Sequence, residues 1–509
     1  MPATYDYIVV GSGSSGSPVA ARLSEDPHTS VLLLEAGQDY PTIESMPLSL
    51  RDGLATGADI NRLEDRHNWG FKARSNRLNA EMDVPRGKVI GGTSSINGQV
   101  FLRGVPEDFD AWAAAGNPEW TFEKVLPYFR KLETDLDYGG DFHGKDGPIL
   151  YRRAKPHELV GDQQAFIDAC LAVGFPRCED HNHPDAYGVG PLPLNNPDGL
   201  RWSTNLGYLG PARRRLNLTI RTGAFVRRVV FDGTRAVGVE IESGGETFTT
   251  FGREIVLSAG PVQSPQLLML SGIGPAKHLR DFDIDVISDL PGVGKNLRDH
   301  PTVHAMWRAA PNYRMPDEST GQQKVALRYT ADGSDLRNDM IMVMRWRSKD
   351  RALVMSTGLY LAKSAGELKL QSPDPHVQPA MDYNHLSDPF DRKRMADGVR
   401  LSLRIAEERS FADVLAERVT PTDDTLASEA FMDEWMLRTC GTMHHISGTA
   451  KMGPGSDPLA VVDDHARVHG VNGLRVVDCS IMPDCVRANT NATAIMMGER
   501  VADLIKSGG

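Results

Sequence analysis

Gly11-Ser12-Gly13-Ser14-Ser15-Gly16 follows the apolar, β-branched run Tyr5 to Val10 and opens a run of helix formers, Ser17 to Ser24. Ser30 to Leu34 then repeats a buried-strand pattern, so the segment predicts a βαβ unit. Gly11, Gly13 and Gly16 permit a tight turn in which a pyrophosphate approaches the backbone, with Ser15 at the head of the helix. The helix N-terminus adds free N–H donors and a positive dipole end. Glu35 ends the second strand, followed by Ala36, where a carboxylate can accept from ribose hydroxyls. An ordinary Gly-rich turn beside a surface Glu is the competing reading. On its own the unit does not separate FAD from a nicotinamide dinucleotide.

Outward from this unit, 509 residues exceed one ordinary core, so two or more domains are expected. The 40% hydrophobic and 24% charged content is that of a globular chain. A net charge of -11 disfavours nucleic acid as a partner. No apolar run is long enough for a transmembrane segment. The N-terminus shows no basic and apolar leader pattern. The five cysteines, Cys170, Cys178, Cys440, Cys479 and Cys485, form no CxxC, which argues against zinc and a disulfide framework. A reducing, cytoplasmic location and no metal are the expectations.

Further along, Leu218 to Glu242 reads as a β-meander turning at Asp232-Gly233, and Glu254 to Ala259 as a short strand. Met340 to Arg345 and Leu359 to Lys363 resemble strands, and Asp391 to Arg409 an amphipathic helix. Pro311 to Asp335 is polar and rich in turn residues, which predicts a surface loop.

A second run, Pro85-Arg86-Gly87-Lys88-Val89-Ile90-Gly91-Gly92-Thr93-Ser94-Ser95-Ile96-Asn97-Gly98, offers small and polar residues suited to a flat polar ring system. By composition alone it could equally be a solvated loop. With Gly260 to Gly274 (GPVQSPQLLMLSGIG), Val293 to His300 (VGKNLRDH), Asp382-Tyr383, Leu474 to Asp478 and Gly498 to Leu504, it resembles the glucose–methanol–choline (GMC) oxidoreductase family. The likeness spans nearly the whole chain and points to the choline dehydrogenase-like branch. It implies an α/β plus α+β architecture: a Rossmann-like FAD-binding domain of GMC type, and a substrate domain built on an antiparallel sheet flanked by helices. The expected FAD-binding domain is discontinuous, 1–155, 200–302 and 437–509, with 156–199 and 303–436 for substrate.

The resemblance also implies roles. His445, in His444-His445-Ile446-Ser447-Gly448-Thr449, matches the catalytic histidine, and Asn489 in Ala488-Asn489-Thr490-Asn491 its partner. Histidine suits removal of a hydroxyl proton near neutral pH. Hydride would then pass from the carbinol carbon to flavin N5. A helix starting near Thr490 would favour the anionic reduced flavin by roughly 0.3–2 kcal/mol. Asn491 matches a backbone-positioning residue. Further cofactor contacts carried over are Arg86, Gly91, Thr93, Asn97, Gly98, Ala259, Val226 (adenine, through its backbone) and Asp478 (ribityl chain). Asp299 and His300 are read as structural. Some members attach FAD covalently through a His in the first signature; Ile96 stands there, so the FAD is expected to be non-covalent.

His444 is read as structural, because adjacent side chains point apart, with a possible substrate contact as the alternative. Trp307, Trp346 and Tyr360 could line a pocket but are more often core. The expected function is oxidation of an alcohol or sugar hydroxyl, with oxygen or a quinone-type acceptor taking the electrons. A lyase with structural FAD and a non-catalytic flavin-binding protein are the rival readings.

Overall fold

In the computed structural model, residues 4–54, 66–317, 320–321 and 323–508 are described. Two seven-stranded sheets dominate. The first holds the βαβ unit. Thr4–Val10 lies between Val31–Leu34 and the C-terminal half of Glu246–Leu257, all parallel, and Leu218–Arg221 and Leu474–Val476 extend the parallel part. Val31 to Leu34 are all buried, as expected of a parallel strand covered on both faces. Helix Gly16–Leu23 packs against the last helix, Thr490–Lys506. They approach so closely that a Cβ on Gly498 would lie 2.5 Å from the Ser15 carbonyl oxygen.

The meander is present as Phe225–Asp232 and Arg235–Ser243, hinged at Gly233 with φ +58°. The third strand is Glu246–Leu257, longer than the expected Glu254 to Ala259. Its polar, exposed first half pairs antiparallel with the meander, and its buried second half joins the parallel sheet. Leu218–Arg221 leaves the meander and pairs with Val31–Leu34.

The second sheet is antiparallel, in the order Leu415–Thr420, Pro301–Ala309, Ala352–Leu359, Met340–Arg347, Val325–Tyr329, Gly188–Pro191. On one face Val303, Trp307, Met342, Met344, Trp346 and Met355 pack under helices Gly161–Ala172, Pro389–Ala406 and Glu429–Thr439. The other face carries His304, Met306, Arg345 and Val354 toward the first domain.

Two expectations fail here. Pro311 to Asp335 is not all surface loop, because Val325–Tyr329 inside it is a fully buried strand. The polar flanks hid a five-residue core strand, whose Arg328 donates from Nη1 and Nη2 to the carbonyls of His181 and Arg487. The strand expected at Leu359 to Lys363 instead ends at Leu359, having begun at Ala352. The helix expected from Asp391 starts at Pro389, capped by the Asp388 carboxylate on the Phe390 amide.

Candidate active site

A single elongated cavity of about 1210 Å³ runs between the parallel sheet and the antiparallel roof. That exceeds the roughly 300–1,000 Å³ of an ordinary ligand pocket, leaving room for a dinucleotide and a substrate. Glu35, Ala36 and Val226 line one end; Gly11, Gly13, Ser15, Arg86, Thr93, Asn97, Gly98, Ala259 and Asp478 follow; His444, His445, Asn489, Thr490 and Asn491 close the other. Gly16 and Gly91 do not line it. A Cβ on Gly16 would meet the Gly11 carbonyl oxygen at 1.9 Å, and Gly91 turns the chain with φ +83°. Both shape the loop rather than face the cavity.

The walls fit a dinucleotide. Gly11 holds φ +98°, and a Cβ there would lie 2.4 Å from the Ser258 carbonyl oxygen. Gly92 comes so close to Gly13 that an added Cβ would sit 2.7 Å from its Cα. The two glycine-rich loops thus meet backbone to backbone, with the helix N-terminus of Gly16–Leu23 beside them. Glu35 is buried and its pKa is raised by burial against hydrogen bonds from Ser12 and Gly37. Asp478 accepts from Gly260 N at 2.9 Å and Ser264 Oγ at 2.5 Å, and burial likewise raises it. The Asn491 carbonyl accepts from Ser14 Oγ, whereas its Nδ2 is buried without a partner. An orphaned donor in a cavity wall is a place for a polar ligand.

His445 sits at the far end, held on three sides. Its backbone N–H donates to Asp299 Oδ1 at 2.7 Å, its Nδ1 meets His300 Nδ1 at 2.8 Å, and its Nε2 meets Asn489 Nδ2 at 3.0 Å. Burial, reinforced by His300, His444 and Arg86, pushes its pKa well below 6.5. The ring is therefore neutral near pH 7 and able to accept a proton. Asp299 pairs with His385 at 3.4 Å. Against the effect of burial, that pairing holds Asp299 low and lifts His385 to about 9.

His444 also faces the cavity, with Nδ1 buried and unpartnered. Adjacent side chains alternate only in extended backbone, and His444 has φ +67°, which turns both imidazoles to one side. His300, read as structural, instead touches the His445 ring directly. Only tertiary contact distinguishes it among 15 histidines. His304 and Arg345, unremarked in the sequence, also line the cavity. His304 between Val303 and Ala305, and Arg345 and Arg347 on either side of Trp346, alternate with apolar neighbours along their strands, and that alternation was the available signal. Trp307 and Tyr360 do not line the cavity, and Trp346 borders it while belonging to the helix-side core.

A dinucleotide-type parallel sheet, roofed by an antiparallel sheet over a His–Asn pair, defines a nucleotide-dependent oxidoreductase. The chain belongs to the GMC oxidoreductase family, whose N- and C-terminal models match residues 5–302 and 362–498. It is 36% identical over 549 residues to an oxygen-dependent choline dehydrogenase of Rhizobium etli, covering 98% of this chain and 95% of the relative. An Escherichia coli oxygen-dependent choline dehydrogenase is 35% identical, covering 99% and 95%. Among solved structures, pyridoxine 4-oxidase from Mesorbium loti superimposes with a TM-score of 0.92 at 29% identity over 99% of both chains. A formate oxidase superimposes with a TM-score of 0.91 at 25% identity over 100% of this chain and 99% of that one. The protein is an FAD-dependent oxidoreductase acting on CH–OH donors. No described helix is long and apolar enough to cross a membrane.

Proposed function

We propose that His445 is the base that takes the substrate hydroxyl proton and that Asn489 holds the same oxygen. The observation that carries this reading is the 3.0 Å contact between His445 Nε2 and Asn489 Nδ2 in the cavity wall. A base needs a lone pair on Nε2. The ring hydrogen then lies on Nδ1 and donates to His300 Nδ1, which fixes tautomer and orientation together. The Asn489 amide can donate to the substrate oxygen while Nε2 accepts its proton. A base so placed typically contributes about 10²–10⁴-fold. Bound FAD would supply the two-electron acceptor for the hydride leaving the carbinol carbon. The alcohol loses a proton and a hydride and leaves as a carbonyl compound. Oxygen or a quinone-type acceptor then takes the electrons; the oxygen-dependent curated relatives support the first.

Glu35, Ala36 and Val226 would hold the adenosine end, and Gly11, Gly13 and Ser15 the pyrophosphate. Asp478 would hold the ribityl chain. Arg86, Thr93, Asn97, Gly98, Ala259, Thr490 and Asn491 would surround the ring system, with Gly16 and Gly91 shaping the loops. The FAD is non-covalent in this reading, supported by Ile96 in the cavity wall, whose side chain offers no attachment atom. The two-domain division at 1–155, 200–302 and 437–509 against 156–199 and 303–436 is supported by two apolar cores, although the first also takes in Ala326, Ile341, Tyr360, Leu368 and Met381 from 303–436. A reducing, cytoplasmic location is supported by five buried cysteines without a disulfide. The lyase and binding-protein readings would leave the flavin oxidised in the presence of ligand.

The test is anaerobic mixing of the purified holoprotein with a panel of alcohols and sugars while the visible flavin absorbance is followed. Bleaching by an alcohol, then reoxidation by oxygen or a quinone dye, is expected. A flavin that no hydroxyl compound reduces would overturn the reading.

A further inference from the structure

Arg345, half-buried in the cavity wall, differs from most of the buried arginines among the described residues. Arg86, in the same wall, also lacks a carboxylate and donates to the Pro85 carbonyl, but it stands among the residues that would surround the ring system. Arg103 meets Glu133, Arg153 meets Asp135, Arg394 meets Asp339 and Asp391, and Arg487 meets Asp108. Arg201 and Arg328 donate to backbone carbonyls. Arg345 stands in the cavity wall and donates only to the hydroxyl of Ser356, from Nε at 3.1 Å and Nη2 at 2.5 Å. Both hydrogens on Nη1 and one on Nη2 remain, forming one free edge of the guanidinium.

No carboxylate among the described residues answers it. The cavity's acidic side chains are Glu35, Asp52 and Asp478. Glu35 and Asp478 are bonded to their own loops, and Asp52 accepts from the Leu54 amide. Around Arg345 the wall instead carries His304, Arg347, Lys349 and His444. Arg347 is paired to Asp350 and donates to Met306 Sδ at 3.1 Å. Arg345 is close enough that its charge helps to hold both His304 and His444 down, to about 3 and about 4, after burial. The two histidines add neutral hydrogen-bonding rings and no negative charge.

Arg345 is half-buried, desolvation disfavours its charge, and no counter-charge offsets that cost unless something supplies one. The cavity is where that something enters. We infer that the free edge of Arg345 binds a carboxylate on the substrate, so that the enzyme oxidises a compact hydroxyl compound carrying a carboxylate at the end remote from the reacting alcohol. This rests on the reading of His445 and Asn489 as the reacting end of the same cavity. Two parallel N–H donors match the two oxygens of a carboxylate, giving orientation as well as attraction. His444, with its unpartnered Nδ1, lies between the two ends and can bond a polar atom of the substrate body. A quaternary ammonium substrate would meet Arg345, Arg347 and Lys349, so choline is disfavoured here despite the curated relatives.

The experiment uses the FAD-loaded holoprotein and has two arms. In the first, benzoate, benzamide and choline are titrated and binding is read from perturbation of the flavin spectrum, in the wild type, R345K and R345Q. Benzoate is expected to bind at least about 10-fold more tightly than benzamide or choline, with that preference reduced in R345K and gone in R345Q. In the second, 4-(hydroxymethyl)benzoate and its amide are compared as reductants of the flavin. The wild type should favour the carboxylate, chiefly through KM, and R345Q should bring the ratio near one. Retained flavin absorbance shows that each variant is folded. Equal binding of benzoate and benzamide, or a preference that R345Q leaves intact, overturns the inference. Benzoate bound through Arg345 with no alcohol oxidised would leave the carboxylate site standing and sink the hydride-transfer reading, and with it the substrate assignment.

Discussion

The imidazoles of His300 and His445 meet Nδ1 to Nδ1 at 2.8 Å, nearly edge-on, with the ring planes at 74°. Only one of two facing nitrogens can carry the hydrogen, so the contact selects the tautomer of both rings. His300 is itself pinned, since its ring packs edge-on against Tyr360 at 4.7 Å. Asp299, the residue before it, anchors the His445 backbone. Two adjacent residues thus fix one imidazole by its main chain and by its ring.

Replacement of His300 by Asn is expected to lower the rate of flavin reduction on the order of 10²-fold, the cost of a misplaced reacting group. His445→Ala is expected to lose about 10²–10⁴-fold. Stopped-flow reduction separates them, because H300N should keep the pH dependence of a working base while H445A should lose it. An H300N variant with wild-type kinetics would reduce His300 to packing.

The pKa of His445 lies well below 6.5, as burial and its neighbours dictate, and only the neutral ring can act as base. Activity is therefore present above that pKa and lost as pH falls through it. His300 and His444, both pushed down to about 4, add no titration above pH 6. The rate constant for flavin reduction should be flat from about pH 6 to pH 8, with its acid limb below that window. An acid limb centred at 6.5 would mean that His445 is solvated in the working enzyme.

The glycine-rich loop and Glu35 were legible because the dinucleotide unit is local: two strands, a turn and a helix within 35 residues. His445 and Asn489 were legible only through family resemblance, since 44 residues separate them and no spacing rule joins them. The contact of His300 with His445, 145 residues away, was not legible for the same reason. Val325–Tyr329 was lost among polar neighbours because a five-residue central strand leaves a weak pattern. The direction expected of His444 came from a rule that holds for extended backbone and fails at φ +67°, where its side chain lines the cavity beside His445.

Gly92 tests whether the two loops act as one cradle. It has φ +53°, and a Cβ there would lie 2.7 Å from Gly13 Cα, backbone that cannot swing aside. Left-handed geometry alone costs a side chain about 1–2 kcal/mol. Gly92→Ala is expected to weaken FAD binding at least about 10-fold, read as flavin released on gel filtration. Gly140→Ala is the control, since φ there is +87° but nothing lies within 4 Å. Equal FAD loss in both would attribute the effect to backbone strain anywhere in the chain.

His143 carries the last prediction, which concerns stability alone. It is buried between Asp135 Oδ2 at 3.0 Å, Asp180 Oδ2 at 2.9 Å and Glu133 Oε1 at 3.6 Å. Arg103 and Arg153 supply the other positive charges. Burial would lower the His143 pKa, but the three carboxylates raise it to about 10. The folded pKa thus exceeds the ordinary value of 6.5. The resulting stabilisation is fully present below that value and fades as pH climbs through about 10. His143→Gln removes the charge while keeping a hydrogen-bonding group, and breaking such a buried set typically costs about 3–5 kcal/mol. The thermal midpoint of H143Q should fall by at least about 5 °C at pH 6 and approach the wild type near pH 10. A deficit that is the same at both pH values would show that His143 acts there through shape and hydrogen bonding rather than charge.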